Sequence, residues 1–281
     1  SQSFAGLSLD RTRIMGVVNV TPDSFSDGGQ FASVQDAVDC ALRLEDDGAD
    51  ILDIGGESTR PGSDAVTVED ELRRVIPVIE KLKAATSAKI SIDTRKAQVM
   101  RAAADAGADI INDVSALTFD PESLATAAGT GLPVILMHAQ GDPKTMQKNP
   151  QYDDVVREVM EYLASRIEIC SAARILKESI AIDPGIGFGK TGDHNLALIA
   201  ALDQLQALGS PVLLGASRKR FIGTLGNEPA AANRAPGSIA AALAGVARGV
   251  RLLRVHDVRE TRQALSVWEA VERGAMDVDA G

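Results

Sequence analysis

Residues 89–112 read K-I-S-I-D-T-R-K-A-Q-V-M-R-A-A-A-D-A-G-A-D-I-I-N, and this stretch decides the fold. A short β-branched run, Lys89–Ile92, is followed by apolar residues at helical spacing over Lys96–Ala106. Gly107 then stands where a helix C-cap is expected, before a second apolar run, Ile110–Asn112. A strand, a helix and a strand in this order predict a βαβ unit with parallel strands.

The same alternation extends along the whole chain and gives eight units. Strands are predicted at Ile14–Asn19, Ile51–Ile54, Lys89–Ile92, Ile110–Asn112, Val134–Met137, Ile180–Asp183, Val212–Gly215 and Leu252–Val255. Helices are predicted at Ser33–Asp47, Val68–Ala85, Lys96–Ala106, Tyr152–Ala172 and Asn195–Leu208, with Gly48, Gly107 and Gly209 as C-caps.

An α/β barrel commonly uses about 250 residues in one domain. The chain has 281 residues and contains no linker, charge run or low-complexity tract that would divide it. We therefore predict an α/β fold, a (β/α)8 TIM barrel, with residues 1–281 forming a single domain. An open doubly wound sheet is the alternative, but no G-x-G-x-x-G follows the first strand, so its dinucleotide-binding form lacks its main support.

The composition excludes several classes of partner. A net charge of -10 would repel a polyanion over most of the surface, which argues against nucleic acid and anionic membranes. The two cysteines, Cys40 and Cys170, lie in helical patterns and do not form a disulfide framework, which favours a reducing cytoplasm. The start of the chain shows no export signal, and the alanine-rich stretch 238–250 is too interrupted for a membrane span.

Every predicted strand ends in polar residues. In a parallel barrel these ends meet at one mouth, where catalytic and binding residues lie. A single such residue has an ordinary explanation as a helix cap, a turn residue or a satisfied buried histidine. Eight polar strand ends together predict a functional site, built from Asn19, Asp53, Asp93, Asn112, His138, Asp183, the run Ser217-Arg218-Lys219-Arg220, and Arg254 with His256.

These residues divide into two chemical groups. Asp93, Asn112, Asp183 and Lys219 supply acceptors, an amide and one cation, which suits a flat heterocycle with adjacent N–H and C=O groups. A second group, Arg60, Arg254 and His256, consists of donors suited to a phosphate or pyrophosphate. Ion pairs with neighbouring aspartates are the alternative explanation for the two arginines.

Two strand-end loops have the composition of lids. Residues 20–31, V-T-P-D-S-F-S-D-G-G-Q-F, and residues 55–64, G-G-E-S-T-R-P-G-S-D, are rich in turn residues. Each also carries a large side chain, Phe25 in the first and Arg60 in the second. Because both loops emerge at the predicted mouth, we interpret them as parts of the site.

The motifs together resemble the dihydropteroate synthase family over nearly the whole chain. The matching stretches occur in the family's order, and they are M-G-V-V-N-V-T-P-D-S-F-S-D-G-G, D-I-G-G-E-S-T-R-P-G, S-I-D-T, I-N-D-V-S, I-L-M-H, D-P-G-I-G-F-G-K-T, G-A-S-R-K-R-F-I-G and R-V-H-D-V. Two departures occur: Arg220 stands where some members have serine, and Ala116-Leu117 stands where many have glycines.

The resemblance implies a transferase of folate biosynthesis, a sulfonamide target that joins 6-hydroxymethyl-7,8-dihydropterin diphosphate to p-aminobenzoate. It implies pterin binding by Asp93, Asn112, Met137, Asp183, Phe188 and Lys219. It implies diphosphate binding by Asn19, Thr59, Arg60, Arg254 and His256, with Asn19 also holding Mg2+. The p-aminobenzoate site would comprise Phe25, Thr59, Arg60, Pro61, Phe188 and Ser217, and the catalytic residues would be Asp93, Lys219, Arg254 and His256.

The resemblance further implies small-molecule substrates, a homodimer formed away from the mouth, and departure of pyrophosphate before the arylamine attacks. Two other functions stay open on the sequence. A methyltetrahydrofolate-dependent methyltransferase also uses a pterin-binding barrel, although it would give Asn19, Arg254 and His256 no diphosphate to bind. A non-catalytic paralogue would bind the pterin without turnover.

Overall fold

The computed structural model describes residues 2–21 and 30–276 of the chain. A short antiparallel hairpin of β1 and β2 precedes eight parallel strands, β3 to β10. The strand bounds are β1 Ser3–Phe4, β2 Leu7–Ser8, β3 Arg13–Asn19, β4 Ile51–Gly55, β5 Lys89–Asp93, β6 Ile110–Asp113, β7 Val134–Met137, β8 Ile180–Asp183, β9 Leu213–Leu214 and β10 Leu252–Val255.

The helices follow the strands as the βα pattern requires. Their bounds are α1 Gln30–Asp46, α2 Val68–Ala85, α3 Ala97–Ala106, α4 Ser123–Thr130, α5 Val155–Ala172, α6 Gly192–Ala200, α7 Leu202–Leu205, α8 Arg220–Leu225, α9 Ala235–Val246 and α10 Val258–Arg273. Gly107 ends α3 with a φ of 116°, a left-handed conformation that glycine adopts without strain. Among the described residues, no helix combines the length and the apolar character needed to cross a bilayer.

The predicted barrel is confirmed. Neighbouring strands pair in the order β8-β7-β6-β5-β4-β3-β10-β9, all in parallel. An isolated bridge between Ile182 and Val212 connects the two ends of this order, and the N–H of Ile182 donates to the carbonyl of Pro211 at 2.9 Å. The sheet therefore closes on itself, with β9 as its shortest strand, and the open-sheet alternative is wrong.

Two apolar layers stabilise the barrel. Outside it, the strands pack against the surrounding helices in a continuous buried core. Inside it, the strands contribute one buried layer, which Phe4 of β1 and Leu9, directly after β2, cover from the amino-terminal end. That inner layer contains Met15, Ile51, Ile110, Ile135, Ala181, Leu213 and Leu252. Because apolar side chains fill this end, polar groups are left for the opposite, carboxyl-terminal mouth.

The prediction of one continuous helix over Asn195–Leu208 is wrong. The backbone leaves the helical region at Ala201, with φ -108° and ψ 15°, which separates α6 from α7. The change of direction buries Leu202 and Leu205 completely against the core. Periodicity could not reveal the break, because apolar spacing continues on both sides of it.

Four charged residues form a buried cluster behind the mouth, joining the loop after β4 to α2 and to the end of β5. Lys96 donates to Glu57 at 3.0 Å and to Glu71 at 2.6 Å, while Arg95 donates to Glu57 at 2.9 and 3.2 Å. Glu71 is fully buried. Thr94 also donates its hydroxyl proton to Glu71, so each buried carboxylate has at least two donors. The cluster fixes the start of the loop that carries Thr59 and Arg60.

We predict that Lys96→Met destabilises the fold by about 3–5 kcal/mol, because it leaves a fully buried carboxylate without its counter-charge. Urea unfolding of the free protein measures this change. Lys83→Met is the matched control: Lys83 lies 3.9 Å from Asp109 with 56% of its side chain exposed, so its loss should change stability by under about 0.5 kcal/mol. Equal stability of the two variants would contradict the role of the cluster.

Candidate active site

The carboxyl ends of the strands surround a polar cleft at the mouth of the barrel. Carboxylate, amide, ammonium and guanidinium groups meet there beside apolar walls, as the sequence predicted. Of the predicted site residues, the cleft is lined by Thr59, Asp93, Asn112, Met137, Asp183, Phe188, Lys219 and Arg254. Asn19, Arg60, Pro61, Ser217 and His256 lie on loops and strand ends around it, and Phe25 lies outside the described residues.

Arg254, at the third position of β10, lies between two carboxylates. Its Nε donates to Asp53 Oδ2 at 2.8 Å, and its Nη2 donates to Asp93 Oδ2 at 3.3 Å. The ion pairs left open on the sequence therefore exist for this arginine. About a quarter of the Arg254 side chain, 24%, is still exposed, so the guanidinium also faces the cleft.

Asp53 is the residue that the predicted binding sets omitted. It is buried, and besides Arg254 it accepts from Ser91 Oγ at 2.7 Å and from Asn112 Nδ2 at 3.2 Å. One carboxylate thus joins β4, β5, β6 and β10 and sets the direction in which the Asn112 amide points. Its position at a strand end was visible in the sequence, but its contacts require the register between strands.

Asp93 is held in an environment that disfavours its anion. Burial, followed by the negative charge of Asp53, raises the pKa of Asp93 to about 8, and the positive charge of Arg254 opposes the shift. A carboxyl group of this kind gains most when positive charge or N–H donors arrive beside it. Asp183 behaves similarly: burial raises its pKa, while the Gly185 N–H donates to its Oδ1 at 2.8 Å.

Lys219 precedes α8 and reaches across the cleft. Its Nζ donates to the carbonyl of Ile186 at 2.9 Å and lies 4.3 Å from the centre of the Phe188 ring. Removal of the ammonium group from water, aided by the charge of Arg254, lowers the pKa of Lys219 to about 8. The cation therefore lies on an aromatic wall and near the acidic end of the cleft.

His256 is paired with Ser217. The Ser217 hydroxyl lies 2.9 Å from His256 Nδ1, and the same oxygen accepts the backbone N–H of His256 at 3.1 Å. Burial, then the charges of Arg254, Arg218 and Arg60, lowers the pKa of His256 to about 3. His256 is consequently a neutral ring, and a hydroxyl that donates to Nδ1 favours the tautomer with its proton on Nε2.

The loop after β4 is fastened at both sides of Arg60. The N–H of Val66 donates to Glu57 Oε2 at 2.9 Å, and the N–H of Gly62 donates to the carbonyl of Pro143 at 2.6 Å, in the segment after β7. Arg60 itself is exposed. The positive charge of Arg60 helps to lower the pKa of both Lys219 and His256, although burial and the other cations contribute more. The guanidinium therefore faces the mouth.

A larger cavity lies at the opposite, amino-terminal end of the barrel. Its charges are already paired: Asp50 accepts from Arg11 at 2.6 Å, from Arg13 at 3.1 Å and from Arg262 at 3.2 Å. Such mutually satisfied groups stabilise structure and leave few directed groups for a ligand. The carboxyl-terminal cleft is therefore the candidate active site.

Comparison with known proteins shows which family the chain resembles. Residues 15–256 match the family described as "Pterin binding enzyme". The chain is 53% identical over 272 residues to the dihydropteroate synthase of Neisseria meningitidis serogroup B, covering 94% of each protein. The structure of the Xanthomonas albilineans dihydropteroate synthase with 4-aminobenzoic acid aligns with a TM-score of 0.90 at 55% identity over 95% of each chain. The same bacterial enzyme in complex with 7,8-dihydropteroate aligns with a TM-score of 0.87 at 52% identity, again over 95% of each chain.

The chain belongs to the dihydropteroate synthase family. The resemblance implied glycines in many members at Ala116-Leu117, and here both residues have a left-handed backbone, with φ of 52° and 62°. Arg166 donates to both carbonyls, at 3.0 and 3.4 Å, and Asp113 accepts the N–H of Leu117 at 3.1 Å. These bonds hold a conformation that glycine adopts without strain.

We predict that His256 stays neutral from pH 5 to pH 8, with its proton on Nε2. Because burial lowers its pKa from 6.5 to about 3, the folded ring stays neutral while the unfolded chain takes up a proton. The stability that neutral His256 contributes is therefore lost as the pH falls from 6.5 to about 3. Nitrogen-15 NMR of histidine-labelled protein measures the tautomer, and Ser217→Ala should remove its bias. A His256 signal that titrates between pH 5 and 8 would contradict the prediction.

Proposed function

We propose that the protein is a dihydropteroate synthase of folate biosynthesis. It condenses 6-hydroxymethyl-7,8-dihydropterin diphosphate with p-aminobenzoate and releases pyrophosphate. The observation that carries this proposal is the position of Arg254: it donates to Asp53 and Asp93, and its charge also lowers the pKa of His256. Acceptors that suit a pterin edge and donors that suit an anion therefore share one mouth. Family membership and the ligands bound to the X. albilineans relative support it.

The pterin binds in the cleft in this proposal. Asp93, Asp183 and Asn112 accept and donate at the ring edges, because a carboxylate can accept parallel hydrogen bonds from a ring N–H and its neighbouring amine. Lys219 donates to the pterin from the far side. Met137 and Phe188 supply apolar walls.

The diphosphate binds beside Arg254. Thr59, Arg60, Arg254 and neutral His256, donating from Nε2, would contact its oxygens. No cluster of three histidine, cysteine or acidic side chains suited to a metal occurs among the described residues. A Mg2+ at this site would therefore have few protein ligands and would depend on the diphosphate and water for the rest. Asn19, at the end of β3, would be the protein ligand. When bound, the ion supplies charge neutralisation for the departing pyrophosphate.

The reaction breaks the bond between the pterin methylene carbon and the diphosphate oxygen, which keeps the electron pair. Asp93 stabilises the positive charge that develops on the pterin, and Arg254 and Arg60 stabilise the oxyanions. The neutral arylamine nitrogen then bonds to the methylene carbon and loses a proton to water. p-Aminobenzoate is placed by Phe25, Thr59, Arg60, Pro61, Phe188 and Ser217, and no strong general base is required.

The proposal extends to the setting of the enzyme. We propose one domain over residues 1–281, a homodimer, and a cytoplasmic location. The two cysteines, Cys40 and Cys170, are free, which supports a reducing compartment.

Pyrophosphate release tests the function. We expect release only when both substrates and Mg2+ are present, with Asp93→Asn lowering turnover by roughly 100-fold or more while weakening pterin binding much less. Steady-state kinetics and calorimetry on the same preparations measure the two effects. The exposed Asp203→Asn on α7 is the control and should leave both unchanged.

Equal losses in turnover and binding would make Asp93 a binding residue only. Pterin binding without pyrophosphate release would favour a methyltransferase or a non-catalytic paralogue, and transfer of a methyl group would identify the former.

We predict ordered binding, with p-aminobenzoate entering after the pterin diphosphate. Its proposed contacts Thr59, Arg60 and Pro61 lie on the loop after β4. The pterin acceptors Asp93, Asn112 and Asp183 lie within strands, so the second site should be completed only when the diphosphate draws Arg60 further inward. Calorimetry should show p-aminobenzoate binding at least about ten-fold more tightly to enzyme with pterin, pyrophosphate and Mg2+ than to free enzyme. Arg60→Ala should abolish this gain, and Arg157→Ala, on an exposed face of α5, should preserve it. Similar affinities in the two states would show a preformed site.

A further inference from the structure

A buried lysine that the proposed chemistry does not use lies behind the cleft. Lys190 is only 1% exposed, one of the largest fully buried side chains described. Its Nζ lies 2.9 Å from His138 Nδ1 and donates to the carbonyls of Phe188 at 3.0 Å and His138 at 3.4 Å. Burial lowers the pKa of Lys190 to about 7, and the charge of Asp183 opposes this shift. A buried amino group of this kind is tolerated only when its N–H groups have partners, and three acceptors lie within reach of it here.

The partners of Lys190 belong to two neighbouring strand ends. His138 directly follows β7, whereas Phe188 lies in the glycine-rich loop after β8, residues 184–190, which we call the pterin loop. Burial, then the charge of Lys190, lowers the pKa of His138 to about 3, so its ring is neutral and Nδ1 can accept a hydrogen bond from Lys190 Nζ. Lys190 therefore fastens the pterin loop to the end of β7.

The pterin loop also packs closely against the backbone that follows β7. A side chain at Gly185 would lie 1.8 Å from the His138 carbonyl oxygen, and one at Gly189 would lie 2.3 Å from that of Gln140. The loop therefore lies directly against this backbone, and the Lys190 side chain is one of several polar groups that hold it to the segment after β7.

The other side of the pterin loop holds two cleft residues. The N–H of Gly185 donates to Asp183, and the carbonyl of Ile186 accepts from Lys219, at 2.8 and 2.9 Å. The Phe188 ring lies against the same ammonium. A shift of the loop would therefore displace a carboxylate, a cation and an aromatic wall together.

We propose that Lys190 is a positioning residue for pterin recognition: without contacting the ligand, it holds the pterin loop so that Asp183, Phe188 and Lys219 converge on the ring. This inference rests on the proposed function in so far as the cleft binds a pterin. Lys190 would thus influence recognition of the ring from behind the cleft, through its hydrogen bonds to backbone carbonyls.

The test is calorimetric binding of 6-hydroxymethylpterin, which needs no turnover. Lys190→Met keeps the length of the side chain but removes the charge and all three donated bonds, and should weaken pterin binding by about ten-fold or more. His138→Leu removes one acceptor and serves as a milder second variant, with a smaller loss expected. Lys148→Met, at an exposed position in the segment after β7, is the matched control and should bind as the wild type does.

A double-mutant cycle separates positioning from general destabilisation. Measured well below the unfolding temperature, the effect of Lys190→Met should shrink when Lys219 is already alanine, because one of the groups it positions is gone. Unchanged pterin affinity in folded Lys190→Met, or an equal loss in both backgrounds, would overturn the proposal. Wild-type enzyme that binds the pterin but releases no pyrophosphate would refute the proposed function alone, and wild type that binds no pterin would refute both.

Discussion

The mouth of the barrel depends on one guanidinium between two carboxylates. Asp53 lies near the end of β4, and Asp93 ends the adjacent parallel strand β5. Two buried carboxyl groups so close together resist ionising at the same time, which contributes to the raised pKa of Asp93. Arg254 reaches both and makes the arrangement tenable. Since Asp53 also binds Ser91 and Asn112, the same contact orients the amide and ties four strands together. Ligand recognition and the shape of the mouth therefore share one electrostatic origin.

Much of this molecule follows from its sequence because a βα repeat restricts the topology. The boundaries of β7, β8, β10 and α2 coincide with the predicted ones, since β-branched runs and helical periodicity are strong local signals there. The hairpin of β1 and β2 was not predicted, because four strand residues carry too little pattern. The break at Ala201 was missed because apolar spacing continues across it.

For the candidate site, the sequence predicted which residues belong to it but not which hydrogen bonds they make. Polar strand ends identified its members, because parallel strands bring their carboxyl ends to one side. Their partners could not be deduced, since hydrogen bonds between strands depend on register and side-chain direction. Asp53 was left out of the binding sets for this reason. Lys190 lies beyond the strand end, outside the expected pattern, so the sequence gave no signal of its position behind Phe188. Family resemblance supplied roles for individual residues, and these stay proposals.

The number of paired residues between neighbouring strands differs around the barrel. Between β8 and β9, closure rests on the bridge from Ile182 to Val212 and on the bond from Ile182 to Pro211, whereas β3 and β4 pair over five residues. Free energies of local opening follow the number of such bonds, so amide hydrogens along this seam exchange with solvent sooner than those of β3 and β4. Asp183 ends one side of the seam, and Lys219 follows the other. A transient opening there would move the carboxylate away from the cation, so the least extensive strand pairing in the barrel lies next to two groups that are proposed to bind the pterin ring.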